Sequence, residues 1–152
     1  MNISKTENSD SLNANFKAKL IVDAKLAKRL PGIENFREIA ESVKSADFIR
    51  IRRSVNTRYL PNHDMYVVIA EKNATIKPDK NSSKQNKHFF GLGSKLLNKN
   101  TPREDVQIEI LDLMNHSLDN LSKKIAKYNE EFPGAIVEDK TLFQKIKSFL
   151  KR

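Results

Sequence analysis

No cysteine occurs among the 152 residues, and that absence removes disulfides, thiolate zinc sites and thiol nucleophiles from the available chemistry. No apolar run approaches the roughly 18 residues of a membrane-spanning helix. The opening stretch, MNISKTENSDSLNAN, lacks the basic-then-apolar order of a secretory signal. The expectation is a cytoplasmic protein, although a secretion route that reads other signals would leave no trace here. The histidines, His63, His88 and His116, are scattered without metal-ligand spacing. His63 stands beside Asp64, as an oriented base would, but no serine or cysteine nucleophile motif accompanies it. No enzymatic activity, cofactor or metal is expected.

Acids are scarce in the middle of the chain. From Phe48 to Lys99 there are eleven basic residues, four Arg and seven Lys, against Asp64, Glu71 and Asp79, a local balance of +8. From Thr101 onward nine basic and nine acidic residues cancel, so the formal net charge of +9 belongs largely to the central segment. Abundant Asn and Ile show the bias of an AT-rich coding sequence, which raises Lys without function. It does not raise Arg, and the cluster Arg50, Arg52, Arg53 and Arg58 is the firmer sign of a selected basic surface.

Residues 1–10 hold two apolar side chains and are expected to be a disordered tail, followed by one domain over 11–152. Leu12, Phe16, Leu20, Ala24 and Ala27 recur every three to four residues and predict a helix over 11–30, stopped by LPG. Ile33, Phe36, Ala40 and Val43 predict a second over 33–46, and the two would form a hairpin. FIRIRRSV alternates, placing Ile49, Ile51 and Arg53 on one face and Phe48, Arg50, Arg52 and Ser54 on the other, a strand over 48–55. MYVVIA predicts a second strand over 65–71, antiparallel to the first. Residues 77–87, KPDKNSSKQNK, contain no apolar side chain and predict a mobile basic loop.

Thr101, Pro102 and Glu104 have the spacing of a capping box and predict a helix over 102–131. Its Leu111, Met114, Leu118, Leu121, Ile125, Tyr128 and Phe132 form a heptad seam that wants a helical partner. A C-terminal helix over 139–151 would supply it, or a second copy of the chain would, giving a homodimer through the 102–131 helix. The expected fold class is α+β, predominantly helical, with two helix pairs flanking a small central antiparallel sheet or hairpin.

HFFGLGSK superficially suggests a phosphate loop. Two glycines separated by four residues and then Lys-Ser or Lys-Thr are needed there; here Gly91 and Gly93 are separated by one residue and Ser94 precedes Lys95. A glycine turn with Ser94 capping a short helical turn is the expectation. Phe89 and Phe90, among Lys84, Lys87, His88 and Lys95, either anchor the returning loop to the core or stack on unpaired bases. Arg50 and Arg52 share a strand face and can grip phosphates or carboxylates. The C-terminal segment carries Lys145, Lys147, Phe149 and Lys151 in an amphipathic pattern suited to a partner or, less readily, an anionic membrane. These features together predict a binding or adaptor protein whose basic central surface meets an acidic protein partner. The alternative is a small nucleic-acid-binding accessory protein that contacts phosphates through the Arg50 to Arg58 cluster and the lysine-rich loop.

Overall fold

A computed structural model describes residues 18–30, 32–54 and 60–137. The chain runs β1 (Lys19–Val22), α1 (Ala24–Arg29), α2 (Ile33–Ser42), β2 (Phe48–Ser54), β3 (His63–Ile76), β4 (Gln85–Asn98), α3 (Arg103–Glu131) and β5 (Ile136–Val137). The strands form one mixed sheet of order β1-β2-β3-β4, with β5 pairing the far end of β3. β1 lies parallel to β2, and every other pair is antiparallel. The expectation of a predominantly helical protein is therefore corrected. Among the described residues 39% are helical and 37% extended, in three helices and a five-stranded sheet.

Side-chain alternation sorts the sheet into two faces. The registers align Leu20, Ile49, Ala70 and Gly91 in one row across four strands, and Val22, Ile51, Val68 and Gly93 in the next. These rows face the helices. Ile49, Ile51, Val68 and Ala70 are completely buried there, with Phe36 and Ala40 of α2 and Ile110, Met114 and Leu121 of α3. Fully burying side chains of this size stabilises the fold by about 1.5–3 kcal/mol each. No described helix covers the opposite face, so the described chain is two layers deep.

Four expectations change. Residues 19–22, placed by helical spacing inside a helix over 11–30, are strand, because KLIV completes the sheet beside Phe48 to Ile51 and only 24–29 coil. The expected antiparallel pair forms as β2 and β3, but β3 is 14 residues long and takes a further 14-residue strand, β4, on its other side; the predicted loop shrinks because Gln85, Asn86 and Lys87 pair with Ile76, Thr75 and Ala74. HFFGLGSK is strand throughout, neither turn nor short helix. Its glycines answer to α3: a Cβ on Gly91 would lie 2.2 Å from the Ser117 carbonyl oxygen and 2.4 Å from the Leu121 nitrogen, and one on Gly93 would lie 2.7 Å from the Leu113 oxygen. Without side chains, β4 lets the helix backbone rest on the sheet, and Ser117, completely buried, is the small helical residue at that contact.

The heptad seam is accordingly rotated. The buried line of α3 is Ile110, Leu113, Met114, Ser117 and Leu121, and its partner is the sheet, not a second helix. The expected C-terminal helix over 139–151 and the tail over 1–10 lie outside the described residues. Thr101 does not cap α3, since its hydroxyl donates to the Asn98 carbonyl at 2.6 Å and no side chain caps the first turn.

Candidate functional site

The bare sheet face is built from the residues that alternate with the core. Its rows run Lys19, Phe48, Glu71, Phe90; Ile21, Arg50, Ile69, Leu92; Arg52, Val67, Ser94; and Ser54, Met65, Leu96. Leu92 is 46% exposed and Leu96 37%. None of Ile21, Phe48, Met65, Val67, Ile69, Leu92 or Leu96 belongs to the packed core. Arg50 and Arg52 rise from the middle of this patch. Arg50 donates to Glu71 Oε2, while His88 Nε2 lies 3.1 Å from the other Glu71 oxygen. Arg52, beside Val67, is exposed and joined to no acid among the described residues.

At the edge of β4 a shallow groove of about 330 Å3 collects Lys87, Phe90, Lys124, Lys127 and Tyr128. Phe90 is 41% exposed, with the Lys124 ammonium 4.3 Å from its ring centre and the His88 ring stacked at 5.8 Å. Phe89, by contrast, is buried edge-on against Tyr128. The expected anchoring role falls to Phe89 alone, because adjacent strand residues face opposite ways.

A second cavity of about 360 Å3 opens on the helical side, where the start of β3 and the end of β4 meet the turn into α3. Arg53 reaches it from β2, Arg29 from α1, Lys99 from the turn and Arg103 from α3. Asp64, 7% exposed, is the acid in its wall. The Asp64 Oδ1 and the His63 Nδ1 are buried without a hydrogen-bond partner, and Lys99 Nζ stands 4.0 Å from that Asp64 oxygen.

Comparison of the chain with family models, curated proteins and solved structures finds no match. The chemistry is read from the residues themselves.

The described arginines of the cluster divide between the two faces of the sheet. Arg50 and Arg52 lie on the bare face, Arg53 on the helical side, and Arg58 outside the described residues. Arg50 ion-pairs with Glu71 of the neighbouring strand. Lys95 is on the helical face and ion-pairs with Glu109 at 2.6 Å. Lys84 is exposed in the turn before β4, and Lys87 lies over the Phe89 and Tyr128 rings at 5.5 and 5.0 Å. Lys145, Lys147, Phe149 and Lys151 lie outside the described residues. Among the described residues no helix is long and apolar enough to cross a membrane, and no group of His, Asp and Glu could hold a metal. Sequence reasoning missed the apolar half of the bare face, from Met65, Val67 and Ile69 to Leu92 and Leu96, and missed the cavity. The signal for the former was present in the strand run MYVVIA, which is apolar on both faces, as a strand covered on both sides would be.

Proposed function

We propose that this is a non-enzymatic binding protein that engages an acidic protein partner through the bare face of its sheet. The observation that carries the reading is the apolar surface formed by half-exposed Val67 and Ile69 and exposed Leu92 and Leu96, which no described helix covers, with Arg52 open beside Val67. Contiguous exposed apolar patches on soluble proteins mark interaction surfaces, and arginine is enriched at such interfaces because its planar head pairs carboxylates bidentately while its stem packs on apolar neighbours. The matching partner element is amphipathic, apolar at its centre and carrying Asp or Glu where it meets Arg52.

Co-purification from the native host, followed by titration of the purified candidate against wild type, Leu92→Asp and Arg52→Glu, tests the reading. Both variants should weaken a genuine partner at least about tenfold, the loss expected for a well-desolvated interface position. Equal binding by all three would reject the face as the site.

A second reading rests on the β4-edge groove, where exposed Phe90 lies under the Lys124 ammonium and Lys87, Lys127 and Glu131 also line the groove. An aromatic among cations suits stacking on unpaired bases, worth ~1–3 kcal/mol per base. Fluorescence anisotropy with labelled single-stranded RNA and DNA tests it: Phe90→Ala should abolish a salt-sensitive signal, and no binding at physiological salt retires the reading.

A further inference from the structure

The cavity between α1, the start of α3, the end of β2 and the start of β3 has no part in the sheet-face reading. Four cations, Arg29, Arg53, Lys99 and Arg103, converge on it from separate segments, against one lining carboxylate, Asp64, a balance of +3. Like charges gathered in a concavity repel one another unless an anion joins them. No acid among the described residues pairs with Arg29, Arg53 or Arg103, whereas Arg37, Arg50, Lys72, Lys95 and Lys123 each have one.

The helix that begins here adds to the demand. With the Thr101 hydroxyl turned to Asn98 and no side-chain cap, the first-turn amides of the 29-residue α3 are left without side-chain acceptors. Glu104 and Asp105 sit in that turn but do not line the cavity. Leu26, Leu30, Val106 and Tyr66 supply the apolar part of the cavity wall.

Asp64 decides which anion fits. It is 7% exposed, and its Oδ1 is satisfied by no hydrogen bond. Inorganic phosphate could offer this carboxylate only its own P–OH and would leave the apolar wall unfilled. An organic phosphate carrying hydroxyls presents anionic oxygens to the arginines and a hydroxyl donor to Asp64, and the volume of about 360 Å3 lies in the range of small-ligand sites. We propose that this cavity binds a phosphate monoester of a hydroxylated small molecule, a sugar phosphate or a nucleoside monophosphate, through Arg29, Arg53, Lys99 and Arg103, with Asp64 accepting from a ligand hydroxyl.

Isothermal titration calorimetry of the full chain at physiological salt tests this with ribose 5-phosphate and AMP, beside ribose, adenosine and inorganic phosphate. Saturable binding of a phosphomonoester is expected, with the uncharged compounds and inorganic phosphate at least about tenfold weaker. Preference for AMP over ribose 5-phosphate identifies a nucleotide, and the reverse a sugar phosphate. Arg53→Gln and Arg103→Gln should each weaken binding at least about tenfold, while Lys123→Gln, on the far side of α3, leaves it unchanged. Circular dichroism checks that the variants fold, and amide chemical shifts in the wild type should move at Tyr66, Asn98 and Thr101 whatever the fate of the variants. Absence of saturable binding by either phosphomonoester overturns the proposal, as does binding that leaves those amides unmoved. Inorganic phosphate binding as tightly as AMP and ribose 5-phosphate would overturn the proposal that the ligand is an organic ester.

Discussion

Replacing Gly91 with alanine inserts one methyl group where the structure has no room for it. The new Cβ would stand 2.2 Å from the Ser117 carbonyl oxygen and 2.4 Å from the Leu121 nitrogen, against a relaxed carbon–oxygen contact of about 3.3 Å. Both obstacles are backbone, so no side-chain rotation relieves them. The helix must lift by about 1 Å, and a radial gap of that size forfeits about a quarter to a half of each lost dispersion contact. Leu113, Met114 and Leu121, each no more than 4% exposed, are held against the sheet at that contact. The expected destabilisation is about 3 kcal/mol, at the upper end of the overpacking range. Gly93→Ala, with its nearest obstacle at 2.7 Å, should cost less, about 1–2 kcal/mol. Gly134→Ala meets nothing within 4 Å, and its cost of about 1 kcal/mol comes only from a backbone φ of +76°. Urea denaturation followed by far-ultraviolet circular dichroism measures all three. If Gly91→Ala falls within about 0.5 kcal/mol of wild type, or costs less than Gly93→Ala, the close approach of α3 to β4 is refuted.

Phe36→Ala, at a completely buried position of α2, should lower the unfolding free energy by about 3–5 kcal/mol in the same assay. Glu71→Gln removes the carboxylate shared by Arg50 and His88; it should cost about 1 kcal/mol of stability and, by leaving Arg50 unneutralised, tighten the acidic partner in a titration. Raising salt from low to physiological should slow association with that partner and leave dissociation nearly unchanged in stopped-flow mixing, because surface charges steer encounter more than they hold the complex. Leu92→Asp, on an exposed position of the bare face, should leave the denaturation midpoint within error while reducing any self-association seen by analytical ultracentrifugation.

Much of the fold is legible where burial is one-sided. Phe48 to Ser54 alternate cleanly, and Arg50 and Arg52 lie opposite Ile49 and Ile51 as the pattern requires. The start of α3 is marked by Pro102 and its acidic first turn. Elsewhere local pattern and tertiary demand disagree. Leu20 fits a helical spacing with Phe16 and Ala24 as readily as an alternation with Val22, and pairing with β2 decides for the strand. The second half of β3, Lys72 to Thr75, is polar enough to resemble loop, yet Gln85 to Phe89 pair along it. Gly91 and Gly93 carry the strongest turn signal in the segment, and what they serve is the helix backbone at Leu113, Ser117 and Leu121, far along the chain. The cavity is the least legible feature. Its arginines, at positions 29, 53 and 103, are far apart in the chain, and only the crossover of β1 and β2 and the return of β4 bring them together.

Photo-crosslinking from defined positions tests the central claim, that the bare sheet face is the working surface, most directly. A benzophenone side chain placed in turn at Val67, Leu92 and, as the control, Asp119 on the exposed side of α3 is activated in the native host. The account predicts crosslinks to the same acidic protein from Val67 and Leu92 and none to it from Asp119. Crosslinks to a partner from Asp119 alone, or to nucleic acid from the sheet face, would contradict it.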